Sequence, residues 1–256
     1  MEDLLEKEVV IDGQKIKYSL KLNEQENIFV FMHGWGSSYK LFSSIFTNLE
    51  NYFAFDFPKN LSEIWVLNDY VEFTKKILNQ KIPNIEQKKI IFVVHSFGGR
   101  VLVKMLNKYN FNVKQIICLG VPFVRDYGTR EKSIYFLTKI FKFPISFLPK
   151  ILNKKIRKIW YKIIGVDDYI LLEDYIQKKT FQNIINEDIQ KHSNILKKYK
   201  TDFIWGKCDK VASLDGARKI SKKVGAKLHI IEKAEHFTFL EPYQKKFLEI
   251  FNKITK

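Results

Sequence analysis

Hydrophobic and polar positions change period along the chain, and these changes predict where strands and helices lie. Ile28–Met32 and Ile90–Val94 are continuous apolar runs, typical of strands buried on both faces of a sheet. The segments between such runs carry apolar residues at helical spacing, as in Gly98–Asn107. Strands that alternate with helices predict an α/β fold with a mostly parallel central sheet and helices on both faces.

The predicted elements follow one another in a regular order before and after a long interruption. The predicted strands are Val9–Ile11, Lys15–Lys21, Ile28–Met32, Tyr52–Phe57, Lys89–His95, Gln115–Leu119, Thr201–Trp205 and Lys227–Ile231. The predicted helices are Ser38–Leu49, Asn68–Leu78, Gly98–Asn107, Ser213–Val224 and Glu241–Ile254. Asp12-Gly13 predicts a hairpin turn between the first two strands, and Pro242 is expected in the first turn of the last helix.

The alternation stops between residues 123 and 200, where the pattern is helical and strand signals are almost absent. We therefore predict one α/β core made of residues 1–122 and 201–256, interrupted by a helical cap, or lid, at residues 123–200. The insertion has 17 basic and eight acidic residues. Its apolar positions predict a surface that covers a pocket; they include Phe136, Phe141, Phe143, Phe147, Leu148 and Trp160. Lys154, Lys155 and Lys158 are expected on the other face.

The strongest candidate for chemistry is a serine at the end of a predicted buried strand. Val93-Val94-His95-Ser96-Phe97-Gly98-Gly99 reads as a strand, a serine and a glycine-rich start of a helix. This is the pattern of a nucleophile elbow, a strained turn that presents the serine hydroxyl above the edge of the sheet. The usual pattern is G-x-S-x-G, and Val94 replaces its first glycine. A serine that merely caps a helix is the structural alternative.

Two further residues follow strands in the order that a catalytic triad needs. Asp209 comes after the strand Thr201–Trp205, and His236 comes after the strand Lys227–Ile231. Both side chains are expected at the same edge of the sheet as Ser96, where a histidine can accept the serine proton and a carboxylate can orient the histidine. The chain order Ser, Asp, His is that of one fold among several that use this triad.

These stretches resemble the α/β-hydrolase superfamily, in particular its small serine hydrolases with a helical cap. The matching stretches are His33-Gly34-Trp35-Gly36, Val94-His95-Ser96-Phe97-Gly98-Gly99, Trp205-Gly206 with Asp209 and Val211, and His236-Phe237 with Leu240-Glu241-Pro242. The resemblance implies that Ser96 is the nucleophile, His236 the base and Asp209 its carboxylate. It further implies an oxyanion hole made by the backbone N–H groups of Trp35 and Phe97. A serine at the elbow disfavours the branches of the superfamily that use an aspartate there.

Composition and charge narrow the picture further. The longest apolar runs have about five residues, too few to span a bilayer. The net charge is +16, but only five of the 44 basic residues are arginines, so a solvated lysine-rich surface is favoured over nucleic-acid binding. A membrane surface or an acidic carrier protein as partner is not favoured. No metal or cofactor pattern is found, and two cysteines without a secretory signal predict a cytoplasmic protein.

The sequence thus predicts a serine hydrolase that cleaves a carboxylic ester with a lipophilic acyl or alcohol group through an acyl-enzyme. Two alternatives stay open. The same triad could act on a methyl ester bound to a carrier protein, on a thioester or on a carbon–carbon bond. The fold could also serve a non-catalytic ligand-binding protein, because fold does not determine function.

Overall fold

The structure, a computed structural model, describes residues 6–46, 49–124 and 174–256. Its eight strands are β1 (Lys7–Ile11), β2 (Gln14–Lys21), β3 (Asn27–Met32), β4 (Tyr52–Phe55), β5 (Lys89–His95), β6 (Val113–Leu119), β7 (Thr201–Gly206) and β8 (Lys227–Ile231). Each matches a strand that the sequence predicts, with bounds that differ by three residues at most. The cap residues named above, Phe136 to Trp160, lie outside the described residues.

The strands form one sheet in the order β1-β2-β4-β3-β5-β6-β7-β8. The pairs β1–β2 and β2–β4 are antiparallel, and every other neighbouring pair is parallel, which confirms the predicted sheet. The predicted hairpin is also confirmed: Ile11 pairs with Gln14 across a two-residue turn. Asp12 and Gly13 both have positive φ in that turn, as a tight hairpin of this length requires.

Helices cover both faces of the sheet. The described α-helices are α1 (Ser43–Phe46), α2 (Leu67–Lys81), α3 (Phe97–Lys108), α4 (Tyr175–Asn186), α5 (Leu214–Val224) and α6 (Gln244–Thr255). One apolar core joins α2, α3 and α5 to one face of the strands, and a second core joins α1 and α6 to the other face. The central strands are therefore buried on both sides, which explains their continuous apolar runs.

Two helix predictions need correction. Ser38–Leu49 is not one helix: a 3-10 helix, Tyr39–Phe42, leads into the four-residue α1. The Tyr39 amide donates to the Asp56 carboxylate at 2.7 Å, a contact from a distant loop that holds the start of this segment in place. In the last helix, Pro242 is not in the first turn, because α6 begins at Gln244 and Pro242 lies in the preceding turn.

Residues 174–200, the described end of the predicted insertion, contain two helices that pack against the core. They are α4 and a 3-10 helix, Gln190–Lys198. Ile184 and Leu196 are buried in the core that α2 and α3 share. Among the described residues, no helix has the length and hydropathy needed to cross a bilayer.

Candidate active site

Ser96 occupies a strained turn between β5 and α3. Its backbone has φ 49° and ψ −111°, a region that non-glycine residues rarely adopt. Its amide donates to the Leu119 carbonyl of β6 at 2.9 Å, and its carbonyl accepts from Gly99 at 3.1 Å. Backbone strain held by neighbouring hydrogen bonds in this way presents the Ser96 side chain at the carboxyl end of the sheet.

The two glycines after Ser96 permit close approach of the chain. A Cβ atom at Gly98 would lie 2.3 Å from the Met32 carbonyl oxygen, and one at Gly99 would lie 2.3 Å from a Val121 methyl carbon. Any side chain at either position would therefore displace the end of β3 or the segment after β6. Val94, the departure from the G-x-S-x-G pattern, is fully buried between β3 and β6.

Asp209 and His236 form a hydrogen-bonded pair. His236 Nδ1 lies 2.9 Å from Asp209 Oδ2, and the side chains are 12 % and 0 % exposed. The other carboxylate oxygen, Oδ1, accepts from the backbone amides of Val211 at 2.8 Å and Ala212 at 2.9 Å. These bonds fix the carboxylate, which in turn fixes the ring of His236 with Nδ1 as the donor and leaves Nε2 free to accept a proton.

The backbone around Gly120 links Ser96 to this pair. Leu119, which accepts the Ser96 amide, is followed by Gly120 at φ +54°. A Cβ at Gly120 would lie 3.0 Å from His236 Nδ1 and 3.2 Å from Asp209 Oδ2. On the other side, the ring of His95 lies 4.6 Å from that of His236. The structure thus joins Asp209 to His236 and places Ser96 at the same edge of the sheet, with no hydrogen bond between the Ser96 side chain and His236 among the described residues.

His33 holds the loop after β3. Its Nε2 accepts from the Phe57 amide at 3.0 Å, and its Nδ1 therefore donates to the Gly34 carbonyl at 2.7 Å. Burial lowers the pKa of His33 to about 4, so the ring stays neutral and keeps this pattern of hydrogen bonds. These contacts tie the loop to the end of β4.

The loop after β3 and the start of α3 carry the two amides predicted for an oxyanion hole. Phe97 is the first residue of α3, where backbone N–H groups lack helical partners, and Trp35 lies in the turn after β3. Within the described part of the chain, neither amide nitrogen has a hydrogen-bond partner. The rings of Trp35 and Phe97 pack edge to face with centroids 5.4 Å apart.

An open cavity of about 630 Å³ adjoins both amides. Five of its 15 lining residues contribute large aromatic rings: Trp35, Phe57, Tyr70, Phe97 and Phe237. The described end of the insertion reaches it: Gln177 lines the cavity and donates to the Lys59 carbonyl at 3.1 Å, and the ring of Phe181 lies 5.4 Å from that of Trp35. Ser96 does not line the cavity but lies close to Gly34, which does: a Cβ at Gly34 would be 3.4 Å from the Ser96 Cβ. The cavity therefore suits an apolar group near Ser96.

Two residues near the site were not identified from the sequence. Gly120 directly follows the predicted strand Gln115–Leu119, and no local signal indicates that a histidine and an aspartate pack on it. His95 is completely buried, and its Nε2 lies 3.3 Å from the His236 carbonyl oxygen. Burial lowers the pKa of His95 well below its usual range, so it is a neutral neighbour of His236. No group of three or more metal-ligating side chains is found in residues 6–46, 49–124 and 174–256.

Comparisons with known proteins agree with this architecture. No protein-family model matches the chain. Proteins provisionally named esterase/lipase 2 from Mycoplasma genitalium and Mycoplasma pneumoniae are 27 % and 32 % identical over 127 residues. Each match covers 46 % of this chain and 46 % of the relative, so the match spans about half the length of either protein.

The structural similarity extends over nearly the whole chain. An α/β-hydrolase enzyme from a Medee basin deep-sea metagenome library superimposes with a TM-score of 0.68 and 14 % identity, covering 98 % of both chains. At that identity the likeness concerns the fold. Together with the sheet order and the helices on both faces, it shows that the chain has the α/β-hydrolase fold and is similar to proteins named as esterases or lipases.

Proposed function

We propose that this protein is a serine hydrolase that cleaves a carboxylic ester through a Ser96–His236–Asp209 triad and an acyl-enzyme. The observation that supports the proposal is a strained serine at the same sheet edge as a buried Asp209–His236 pair, which packs on Gly120. A serine that only capped a helix would need neither positive φ nor a neighbouring histidine oriented by a carboxylate.

The proposed reaction proceeds in two halves. His236 Nε2 accepts the proton of Ser96 as the hydroxyl oxygen attacks the ester carbon, and it returns that proton to the departing alcohol. Water then attacks the acyl-enzyme, with His236 again accepting and returning a proton, and the carboxylic acid leaves. Asp209 stays ionised, keeps the proton-bearing Nδ1 in place and stabilises the imidazolium that forms in each half.

The negative charge that develops on the carbonyl oxygen needs donors that are already in place. The amides of Trp35 and Phe97 are the proposed donors, because neither has another partner among the described residues and both border the cavity. The amino terminus of α3 adds a favourable dipole. Removing one oxyanion donor in an enzyme of this kind costs about 10²–10³ in rate, so the arrangement accounts for a large part of the expected catalysis.

The aromatic cavity supports a lipophilic acyl or alcohol group as the part of the substrate that binds next to Ser96. We propose that residues 123–200 act as the cap over this cavity, because their described end already contributes Gln177 and Phe181 to its surroundings. A carrier-bound methyl ester, a thioester or a carbon–carbon bond uses the same triad, and the experiment below distinguishes free esters from these.

A chain-length series of p-nitrophenyl esters tests the proposed substrate class. We expect wild-type protein to hydrolyse them, with the highest kcat/KM for acyl chains that fill the cavity. The Ser96→Ala variant should fold normally, as checked by circular dichroism, and lose about 10⁴-fold or more in kcat. Equal turnover by the folded variant would refute the nucleophile, and no turnover of any free ester by wild type would leave the alternative substrates as the better account.

A further inference from the structure

A second pocket lies at the edge of the sheet opposite Ser96. It is an open groove of about 550 Å³ between the first residues of β7 and β8 and one side of α6 along its length. The charged and polar side chains that line it are Lys200, Asp202, Lys227, His229, Lys246, Glu249, Lys253 and Lys256. The groove shares no residue with the cavity beside Trp35 and Phe97.

A buried polar network orients His229 in this groove. His229 Nε2 lies 2.9 Å from Asp202 Oδ1, and Gln115 Nε2 donates to Asp202 Oδ2 at 2.8 Å. The Asp202 side chain is only 2 % exposed. Burial alone would raise the pKa of Asp202, but the hydrogen bonds from His229 and Gln115 outweigh it and lower the pKa, so Asp202 is an anion.

The geometry of this pair makes His229 available to a ligand. The carboxylate fixes Nε2 of His229 as a proton-bearing nitrogen, so Nδ1 remains for the groove, where 26 % of the side chain is exposed. A histidine ring that carries a proton on both nitrogens can donate from Nε2 to the carboxylate and from Nδ1 to a bound anion. A buried aspartate is costly unless it is paired, and its position here is accounted for by the histidine it holds.

The lysines around His229 leave positive charge unmatched. Five lysines and only two carboxylates line the groove, and Glu249 already pairs with Lys246 at 2.9 Å. Lys200 donates to the Ile254 carbonyl at 2.8 Å. Lys227 and Lys253 have no carboxylate partner among the described residues. Like charges converging on a concave surface attract a compact anion of high charge density.

We propose that this groove binds a phosphate-bearing ligand, with His229, Lys227 and Lys253 contacting the phosphate oxygens. The volume is sufficient for a pyrophosphate group or a small phosphate monoester, and the combination of ammonium groups with a histidine N–H donor matches the oxygens of such a group. The same chemistry is offered by a free phosphate compound or by a phosphomonoester lipid headgroup. The proposal is independent of the proposed esterase activity.

Calorimetric titration with inorganic pyrophosphate at physiological salt tests this site, alongside sedimentation with phosphatidylcholine vesicles that contain or lack phosphatidic acid. The double variant Lys227→Gln/Lys253→Gln should weaken binding about tenfold or more. Lys222→Gln/Lys223→Gln removes the same charge from exposed lysines of α5 outside the groove, so it should change binding less than about twofold. His229→Gln, which keeps an amide donor for Asp202, should also weaken binding.

The results distinguish a free phosphate compound from a lipid headgroup, and two of them would overturn the site. Pyrophosphate binding that only the groove double variant loses supports a free phosphate compound, and the same dependence seen only with phosphatidic acid vesicles supports a headgroup. Equal weakening by both double variants shows diffuse surface charge only and overturns the site. The site is also overturned if the wild-type protein binds neither pyrophosphate nor the phosphatidic acid vesicles. Thermal melts of all variants verify folding, and if His229→Gln unfolds the lysine variants still decide the result.

Discussion

Gly120 is the residue on which the geometry of the site depends most directly. It lies between Leu119, which accepts the Ser96 amide, and the side chains of the Asp209–His236 pair, and its φ of +54° favours glycine. The space that a side chain would fill is occupied by His236 and Asp209. Position 120 therefore requires glycine for two reasons: the positive φ and the lack of space for a side chain.

A Gly120→Ala substitution should damage catalysis more than folding. Its methyl group would lie 3.0 Å from His236 Nδ1, so the imidazole must shift from its present position. A displacement of the proposed base by about 1 Å can cost about 10²-fold in rate, and we expect a loss of kcat of that order. The measurement is ester turnover by purified, folded variant.

Gly225→Ala is the matched control, because Gly225 also has positive φ, +73°, but a Cβ there meets no atom within 4 Å. It should cost about 1 kcal/mol in free energy of unfolding and leave turnover unchanged. If the two variants lose activity equally, backbone strain and not contact with His236 explains the effect at Gly120.

The residues of the site differ in how far the sequence reveals them. Ser96, Asp209 and His236 could be predicted because each follows a strand, and parallel strands bring their carboxyl ends to one edge. The positions of Gly120 and the buried His95 against His236 could not be predicted, because they result from packing between β5, β6 and the loop that carries His236. The Asp202–His229 pair was missed for the same reason: it depends on the register of β7 and β8 and on the C-terminal turn of α6.

At the scale of elements, α3 begins directly after Ser96 and contacts the described residues on both sides of residues 125–173. Arg100, one turn after Ser96, is buried and donates to the Pro122 carbonyl at 3.0 Å. It also donates to the carbonyls of Ile184 and Glu187, at 2.8 and 2.6 Å. A single guanidinium thus fastens the chain just before residue 125 to the C-terminal end of α4.

Arg100→Met should lower the free energy of unfolding by about 2–4 kcal/mol. Three backbone carbonyls would lose a charged hydrogen-bond donor, and those that stay buried would have no replacement. Urea denaturation measures the loss, and limited proteolysis should show faster cleavage near α4. Lys104→Met is the control, since Lys104 lies one turn further along α3 and its 2.6 Å contact with Glu187 is partly exposed. It should cost less than about 1 kcal/mol. Equal losses would contradict the role of Arg100 as a clamp.

Elements were predictable where local signals dominate. The Asp12-Gly13 hairpin and the apolar strands follow from turn chemistry and period alone. The 3-10 helix at the start of the segment from Ser38 could not be predicted. The long-range hydrogen bond from Tyr39 to Asp56 stabilises it, and periodicity does not reveal that bond. The sheet order, with β4 between β2 and β3, likewise depends on contacts between distant parts of the chain.

At the scale of the whole molecule, two fully buried histidines make folding sensitive to acid. Burial lowers the pKa of His33 to about 4 and that of His95 well below its usual range. In the unfolded chain both should titrate near the ordinary value of about 6.5. Below that pH the unfolded state binds more protons than the folded state, so stability is full above about pH 6.5 and falls as the pH drops toward 4.

Between pH 7 and pH 5.5 the free energy of unfolding should therefore fall by about 2 kcal/mol, roughly half from each histidine. Urea titrations at the two pH values measure this loss. His95→Phe, which places an apolar ring among Phe237, Phe239 and His236, should remove about half of the pH effect. A free energy of unfolding that is constant over this range, or that rises on acidification, would contradict the assignment of neutral buried rings.

The most direct test of the account is the covalent reaction of Ser96 with a fluorophosphonate. The proposed triad predicts stoichiometric labelling, with the mass of the adduct located by peptide mass spectrometry on the peptide that carries Ser96. Ser96→Ala should give no adduct, and His236→Ala should slow labelling by several powers of ten because the hydroxyl loses its base. Labelling at another residue, or labelling of Ser96 at the same rate without His236, would contradict the claim that Ser96, His236 and Asp209 act as one catalytic unit.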